Sequence, residues 1–139
     1  MRVFWDTNLF IYLWQDSPAR TRVESLAAWQ DSAGAELVTS TLTVGELLVQ
    51  PLKRRRHDIV EKYLAALAQL HVVEFDRAAA YVFAELRALN AALAPPDALQ
   101  LACAATANVD LFVTNGRRLS RMKVSGIGAI RALADVDLV

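Results

Sequence analysis

The chain has 139 residues, 55% of them hydrophobic, and its 15 Lys and Arg residues balance its 15 Asp and Glu residues. This composition excludes intrinsic disorder, which requires low hydrophobicity and a high net charge. It also excludes a strongly basic molecule, so any nucleic-acid site has to be a local patch. The single cysteine, Cys103, excludes an intramolecular disulfide and every zinc site that needs two or more cysteines.

The length predicts a single domain over residues 1–139. The first apolar run stops at Asp6, too early for a signal peptide. Charged residues and two prolines interrupt the most apolar tract, residues 78–107, whereas a membrane-spanning helix needs about 20 mostly apolar residues. We therefore expect a cytoplasmic protein that makes no membrane contact, and the lone cysteine agrees with this expectation.

Short apolar strands and amphipathic helices alternate along the chain. Runs rich in β-formers predict strands at 2–5, 36–39, 71–75 and 110–114. Helical spacing predicts helices over 7–14, 19–32, from 41 to a break or kink at Pro51, 57–70, 76–94 and 97–108. The tail predicts one short strand near 127–130 and leaves room for another at 136–139.

This alternation predicts an α/β fold, namely a three-layer α/β/α sandwich with a mostly parallel central sheet. In open sheets of this kind, ligands bind outside the carboxyl ends of the strands. That rule directs attention to residues 6–8, 40–46, 76 and 114–118.

Three acidic residues lie at such positions, and each has an ordinary alternative explanation. Asp6 follows the first strand and could simply cap the next helix. Glu46 lies inside an apolar helix, and Thr43-x-x-Glu46 also fits a capping box. Asp97 follows two prolines, where a negative charge suits the helix dipole.

If the three carboxylates converge, they repel one another. Two unit charges 4 Å apart interact by about 4 kcal/mol at an effective dielectric constant near 20. Protons or cations must relieve such a cluster, and oxygen ligands without His or Cys favour Mg²⁺ or Mn²⁺. Divalent ions held in this way serve phosphoryl chemistry.

With these residues in view, the sequence resembles PIN domains, and among them the VapC-like ribonuclease toxins of bacterial and archaeal toxin–antitoxin pairs. Four segments carry the resemblance, in order and at similar spacing: VFWDTNLF around Asp6, STLTVGELL around Glu46, PPDALQLACAA around Asp97 and VDLFVTNGRRL around Thr114. They extend over nearly the whole chain.

The resemblance implies an Mg²⁺- or Mn²⁺-dependent endoribonuclease that cleaves single-stranded or loop RNA, with an antitoxin partner and a homodimeric state. It places the catalytic, metal-binding acids at Asp6, Glu46 and Asp97, and the family's threonine at Thr114. Thr7 and Asn8, next to the first acid, could orient its carboxylate, although a polar helix start explains them as well.

The sequence departs from the family at one position. Relatives often carry an acid two residues after the threonine, where this chain has Gly116, and Asn115 could supply an amide oxygen instead. The departure keeps open a second class of function: a catalytically impaired module that binds RNA or protein without cutting. A third alternative is an enzyme for another phosphate substrate, such as structured DNA or a phosphomonoester.

Basic residues concentrate in two segments. Residues 53–56 and residues 117–123 each contain four of the 15 Lys and Arg residues. Either segment could be a solvated loop. The second follows Thr114, so we predict that Arg117 and Arg118 bind the phosphate backbone of RNA.

Overall fold

The computed structural model describes residues 1–138, and it contains five strands and six α-helices in that range. The strands are β1 (Arg2–Trp5), β2 (Glu36–Ser40), β3 (His71–Val73), β4 (Leu111–Thr114) and β5 (Ala129–Ala132). The helices are α1 (Thr7–Trp14), α2 (Arg20–Ala33), α3 (Thr41–Lys53), α4 (His57–Leu67), α5 (Arg77–Leu89) and α6 (Pro95–Thr106). None of these helices combines the length and the apolar character needed to cross a membrane.

The five strands form one sheet in the order β3-β2-β1-β4-β5, and every pair is parallel. The predicted α/β class and parallel sheet are therefore confirmed. The chain builds outward from β1 to β2 and β3, and then returns to the other side of β1 with β4 and β5. This reversal opens a crevice beyond the carboxyl ends of β1 and β4, where the ligand site of such a sheet is expected.

Helices cover both faces of the sheet because the central strands β1 and β4 are apolar on both sides. Phe4 and Phe112, on neighbouring strands, stack with ring centroids 5.0 Å apart in the core beneath α5 and α6. Val3 and Trp5 belong to the opposite core, which contains side chains of α1, α2, α3 and α4. The alternation along β1 thus assigns its residues to two separate cores and produces the predicted three layers.

Several predicted boundaries are wrong by a few residues. The helix expected over 57–70 ends at Leu67, since Leu70 N–H closes a tight turn onto the carbonyl of Leu67 at 3.0 Å. The helix expected to reach residue 94 ends at Leu89, and the next one begins at Pro95 rather than Asp97 because proline suits the first turn of a helix. Helix α3 continues through Pro51 to Lys53.

The strand predicted over 71–75 is also shorter, because β3 pairs only as far as Val73, opposite the last residue of β2.

The tail differs from its prediction as well. The last strand spans Ala129–Ala132, two residues later than expected, because its pairing with β4 begins at Leu111 opposite Ala129. A glycine is required just before it: a Cβ on Gly128 would lie 2.5 Å from the carbonyl oxygen of Asp110. Residues 136–138 form no strand, and Val139 lies outside the described residues.

Cys103 is buried within α6, as expected for a core residue. Burial raises the pKa of its thiol to about 11, and the charge of Asp76 adds to this effect. The thiolate, which is the reactive form, is therefore scarce at neutral pH.

Candidate active site

The centre of the crevice is Asp6, the first residue after β1. Its backbone N–H donates to the carbonyl of Val113 on β4 at 3.0 Å, so the two strand ends are tied together. One carboxylate oxygen, Oδ1, accepts the N–H of Thr7 at 2.8 Å and caps α1. The other, Oδ2, accepts the hydroxyl of Thr114 at 2.9 Å. Asp6 therefore does cap a helix, and it also faces the predicted threonine across the switch point of the sheet.

The surroundings of Asp6 disfavour the charged form of its carboxyl group. Burial raises the pKa of the Asp6 carboxyl above its usual value, and the negative charge of Asp97 raises it further. The hydrogen bonds from Thr114, Thr7 and Gln100 act in the opposite direction but do not cancel the effect. A buried carboxylate with a second acid nearby is stabilised by a cation.

Glu46 projects from α3 toward the same place. Its Oε1 accepts the hydroxyl of Thr7 at 2.7 Å, which links it to the residue beside Asp6. The capping-box alternative for Glu46 is wrong, because α3 begins at Thr41 and the Thr43 hydroxyl bonds to Thr7 and Gln100 instead.

Asp97 lies in the first turn of α6, and an arginine partner approaches it from the segment after β4. Arg118 Nη2 donates to Asp97 Oδ2 at 2.7 Å. The Asp97 side chain is 21% exposed and that of Arg118 is 78% exposed, so the ion pair lies at the surface and not in the core. Such exposed pairs contribute at most about 1 kcal/mol, which a bound divalent ion could readily replace.

Asp6, Glu46 and Asp97 line one cleft of about 380 Å³, and Thr7, Asn8 and Gln100 line it with them. The carboxylates come from three different elements, as the sequence predicted. Within residues 1–138, however, no three Asp, Glu, His or Cys side chains stand close enough together to hold an ion as a ready-made set. The donors fit a hard divalent cation in chemistry, since all are carboxylates and Asp6 carries unrelieved charge.

A second cavity of about 300 Å³ adjoins the cleft at Asp97 and is lined by residues 114–119. Asn115, Gly116, Arg117 and Arg118 all border it. Arg117 forms two hydrogen bonds of 2.8 Å with the carboxylate of Asp135. Both arginines predicted to bind substrate are thus engaged by carboxylates in this structure.

The sequence analysis missed the polar residues beneath the cleft, namely Ser40, Thr43 and Gln100. All three are buried, and Gln100 is only 2% exposed. Its Nε2 lies 2.8 Å from Thr43 Oγ1, 3.2 Å from Thr7 Oγ1 and 3.3 Å from Asp6 Oδ1. A signal was present, since Gln100 is a lone amide in the otherwise apolar run of α6, and buried amides require partners.

Comparisons with known proteins agree with this arrangement. The PIN domain family model matches residues 3–124. A comparison with curated proteins finds no match.

Three solved structures illustrate the likeness of the fold. VapBC2 from Rickettsia felis bound to a DNA fragment from its promoter has a TM-score of 0.76 at 18% identity, covering 95% of this chain and 98% of that chain. DNA-bound VapBC from Salmonella typhimurium has a TM-score of 0.72 at 23% identity, covering 96% and 98%. VapBC-5 from Mycobacterium tuberculosis, a member of the VapBC family of toxin–antitoxin systems, has a TM-score of 0.63 at 22% identity, covering 94% and 98%. At these identities the likeness concerns the fold, whereas the family match extends over most of the chain. The chain belongs to the PIN domain family.

Proposed function

We propose that this protein is a cytoplasmic, divalent-metal-dependent endoribonuclease and the toxin of a toxin–antitoxin pair. One observation carries the proposal: Asp6, Glu46 and Asp97 line a single cleft at the switch point of a parallel sheet. The carboxylates reach the cleft from β1, α3 and α6, which the chain separates widely.

In this proposal, Asp6, Glu46 and Asp97 hold one Mg²⁺ or Mn²⁺ ion, and water completes its coordination because the side chains do not form a compact set by themselves. A bound ion of this kind supplies Lewis-acid stabilisation of phosphate charge and an activated water. Thr114 and Thr7 orient the carboxylates of Asp6 and Glu46 through their hydroxyls. Asn8 and Asn115 border the cleft and its neighbouring cavity, where their amides could contact substrate.

A basic groove along the edge strand β5 supports RNA as substrate. Arg121, Lys123 and Arg131 line a groove of about 470 Å³, and its lining residues include no acidic side chain. Residues 120–124 of the groove follow Arg117 and Arg118 in the chain, and we propose that an RNA strand bound at the cleft continues along them. The sequence analysis did not predict Arg131 as part of this surface. Strand β5, which pairs with β4, places it beside residues 120–125.

If the groove binds RNA, its basic residues should set part of the salt dependence of RNA affinity. Each phosphate contact contributes a slope of about −0.7 to a plot of log affinity against log salt for single strands. Replacing Arg121, Lys123 and Arg131 together by Gln should therefore reduce that slope by up to about 2 and weaken RNA binding at low salt. Fluorescence anisotropy with a labelled single-stranded RNA measures both quantities.

The matched control removes three positive charges elsewhere, by replacing Lys53, Arg54 and Arg55 with Gln. We expect its salt slope to stay near that of the wild type. A groove variant that keeps the full slope, or a control that loses as much, would contradict the assignment of the groove to RNA.

The proposed activity itself is tested by incubating single-stranded RNA with the protein in Mn²⁺, in Mg²⁺ and in excess EDTA. We expect fragments with either ion and none with EDTA. Competition with structured DNA or a phosphomonoester in the same assay separates RNA from the other phosphate substrates. Cleavage that EDTA leaves untouched would refute the metal-dependent mechanism.

The partner proposal comes from the similar structures, which include toxin–antitoxin complexes. We extend to this chain an antitoxin partner and a homodimeric state. Co-purification with the product of a neighbouring reading frame tests the first, and light scattering of the purified chain tests the second.

A module that binds without cutting remains the second candidate, and Gly116 is the observation that favours it. A Cβ at Gly116 would meet no heavy atom within 4 Å, so a side chain can begin there without a clash. We predict that Gly116→Asp tightens Mn²⁺ binding about tenfold, equivalent to about 1.4 kcal/mol, because one more negative charge borders the site.

Isothermal titration of Mn²⁺ measures this change, with Gly116→Asn as a control of the same size and no charge. If the wild type binds RNA without cutting and only Gly116→Asp cuts, the binding module is correct for the natural chain. Equal Mn²⁺ affinities for the Asp and Asn variants would show that position 116 does not reach the ion.

A further inference from the structure

A continuous line of hydrogen bonds runs beneath the cleft from β2 to Glu46. The Ser40 hydroxyl bonds to Gln100 Oε1, and Gln100 Nε2 bonds to Thr43 Oγ1 at 2.8 Å. Thr43 Oγ1 lies 3.0 Å from Thr7 Oγ1, and the Thr7 hydroxyl reaches Glu46 Oε1 at 2.7 Å. The first four members come from β2, α6, α3 and α1, and all four are buried.

The direction of every bond in this line follows from its two ends. A carboxylate only accepts, so Thr7 gives its single hydroxyl proton to Glu46. Thr7 must then accept from Thr43, and Thr43, having spent its own proton, must accept from Gln100. Ser40 donates to Gln100 Oε1, which fixes the orientation of the amide. The protons are therefore ordered from Ser40 to Glu46.

The same amide also reaches the other buried acid. Gln100 Nε2 lies 3.3 Å from Asp6 Oδ1, so a single side chain connects the groups that hold Asp6 and Glu46. Ordered chains of hydrogen bonds in a buried, poorly screened environment polarise one another, and a missing member leaves a polar group unsatisfied. Neither Ser40 nor Thr43 lines the cleft, so neither touches substrate.

We propose that Ser40, Gln100, Thr43 and Thr7 form a positioning relay that fixes the carboxylates of Glu46 and Asp6 for divalent-ion binding. The proposal rests on the proposed function, because it takes those two acids as ligands of the ion. Ser40 and Thr43 are positioning residues that act through Gln100, Thr7 and the acids, whereas Gln100 itself borders the cleft.

The decisive variant is Thr43→Val, which removes the middle hydroxyl without altering the cleft lining. Groups that orient metal ligands typically contribute about 10- to 100-fold to metal affinity. We expect the Mn²⁺ dissociation constant of Thr43→Val to rise at least about tenfold. Thr43→Ser, which keeps the hydroxyl, should restore binding to within about threefold of the wild type.

Thr39→Val is the matched control. Thr39 is as buried as Thr43 and lies next to Ser40 on β2, but its hydroxyl donates to the carbonyl of Trp5 at 3.0 Å and takes no part in the relay. Thr43→Val loses two buried hydrogen bonds and Thr39→Val loses one, so we expect both variants to lower the metal-free melting temperature, Thr43→Val by more. Only Thr43→Val should lose Mn²⁺ affinity and the thermal stabilisation that Mn²⁺ provides.

Mn²⁺ binding is followed by isothermal titration and by the electron paramagnetic resonance signal of the free ion. Equal affinities for Thr43→Val and Thr39→Val would overturn the relay while leaving the metal site in place. A wild type that binds no Mn²⁺ would overturn both the proposed function and the relay. If Thr43→Val does not fold, Ser40→Ala removes the first donor of the line, and an unchanged Mn²⁺ affinity of that variant overturns the relay.

Discussion

Replacing Asp6 by Asn should lower metal-dependent RNA cleavage at least about 100-fold. Metal-ion catalysis is worth several kcal/mol of transition-state stabilisation, and each factor of ten in rate corresponds to about 1.4 kcal/mol. Asp6 is the acid at the centre of the cleft, bonded to Thr7 and Thr114 at once. Loss of its charge should remove most of the attraction that holds a divalent ion there.

The same substitution should leave the metal-free protein as stable as the wild type, or more stable. Asn caps a helix as well as Asp does, so α1 keeps its N-terminal hydrogen bond. The neutral amide also avoids the cost of burying a charge, the main cause of the raised pKa of Asp6. Cleavage rate, Mn²⁺ affinity and urea unfolding measured on one preparation separate the two effects.

Asp76→Asn is the matched control for this experiment. Asp76 also follows a strand and caps a helix, with its Oδ1 accepting the N–H of Ala79 at 2.9 Å, but it does not line the cleft. We expect normal cleavage from Asp76→Asn. Wild-type cleavage by Asp6→Asn would end the metal-site hypothesis, whereas a loss caused by unfolding would show as a lower urea midpoint.

The second large effect concerns stability, and we expect Phe112→Ala to reduce the free energy of unfolding by about 3–5 kcal/mol. Phe112 is fully buried and stacks on Phe4 between the central strands, so its removal leaves a cavity that the parallel sheet cannot close. The loss is a large part of the roughly 5–15 kcal/mol that is typical of a whole domain.

Phe112 also lies two residues before Thr114, as Phe4 lies two residues before Asp6. Loosening this pair should therefore disturb the Thr114–Asp6 contact and weaken Mn²⁺ binding in the molecules that remain folded. Urea unfolding monitored by circular dichroism measures the stability. Tyr81→Ala, at a side chain that is 70% exposed, is the control and should change it by less than about 1 kcal/mol. A loss of that small size at Phe112 would contradict the central role of this stack.

Local sequence patterns were sufficient to predict β1 and α1, and the bounds of both elements agree with the prediction at every residue. Apolar runs and helix starts depend on neighbours in the chain, so they can be read from a short window. The ends of α4 and α5 could not be predicted in this way, because Leu67 and Leu89 are followed by residues that continue the helical pattern. The connecting segments make contacts at these ends: the Arg87 guanidinium donates to the Leu93 carbonyl after α5, and the Leu70 N–H donates to the Leu67 carbonyl after α4.

For the site, the sequence by itself predicted three acids that the fold then brings into one cleft: Asp6 follows a strand, Asp97 lies in a first helical turn and Glu46 projects from an apolar helix. Only the tertiary structure decided what surrounds them. Arg118 at Asp97 and Gln100 beneath Asp6 are separated from those acids by 21 and 94 positions in the chain. Hydrogen bonds depend on distances of a few tenths of an ångström between such remote residues, and these distances are set by how the helices pack on the sheet rather than by any local pattern.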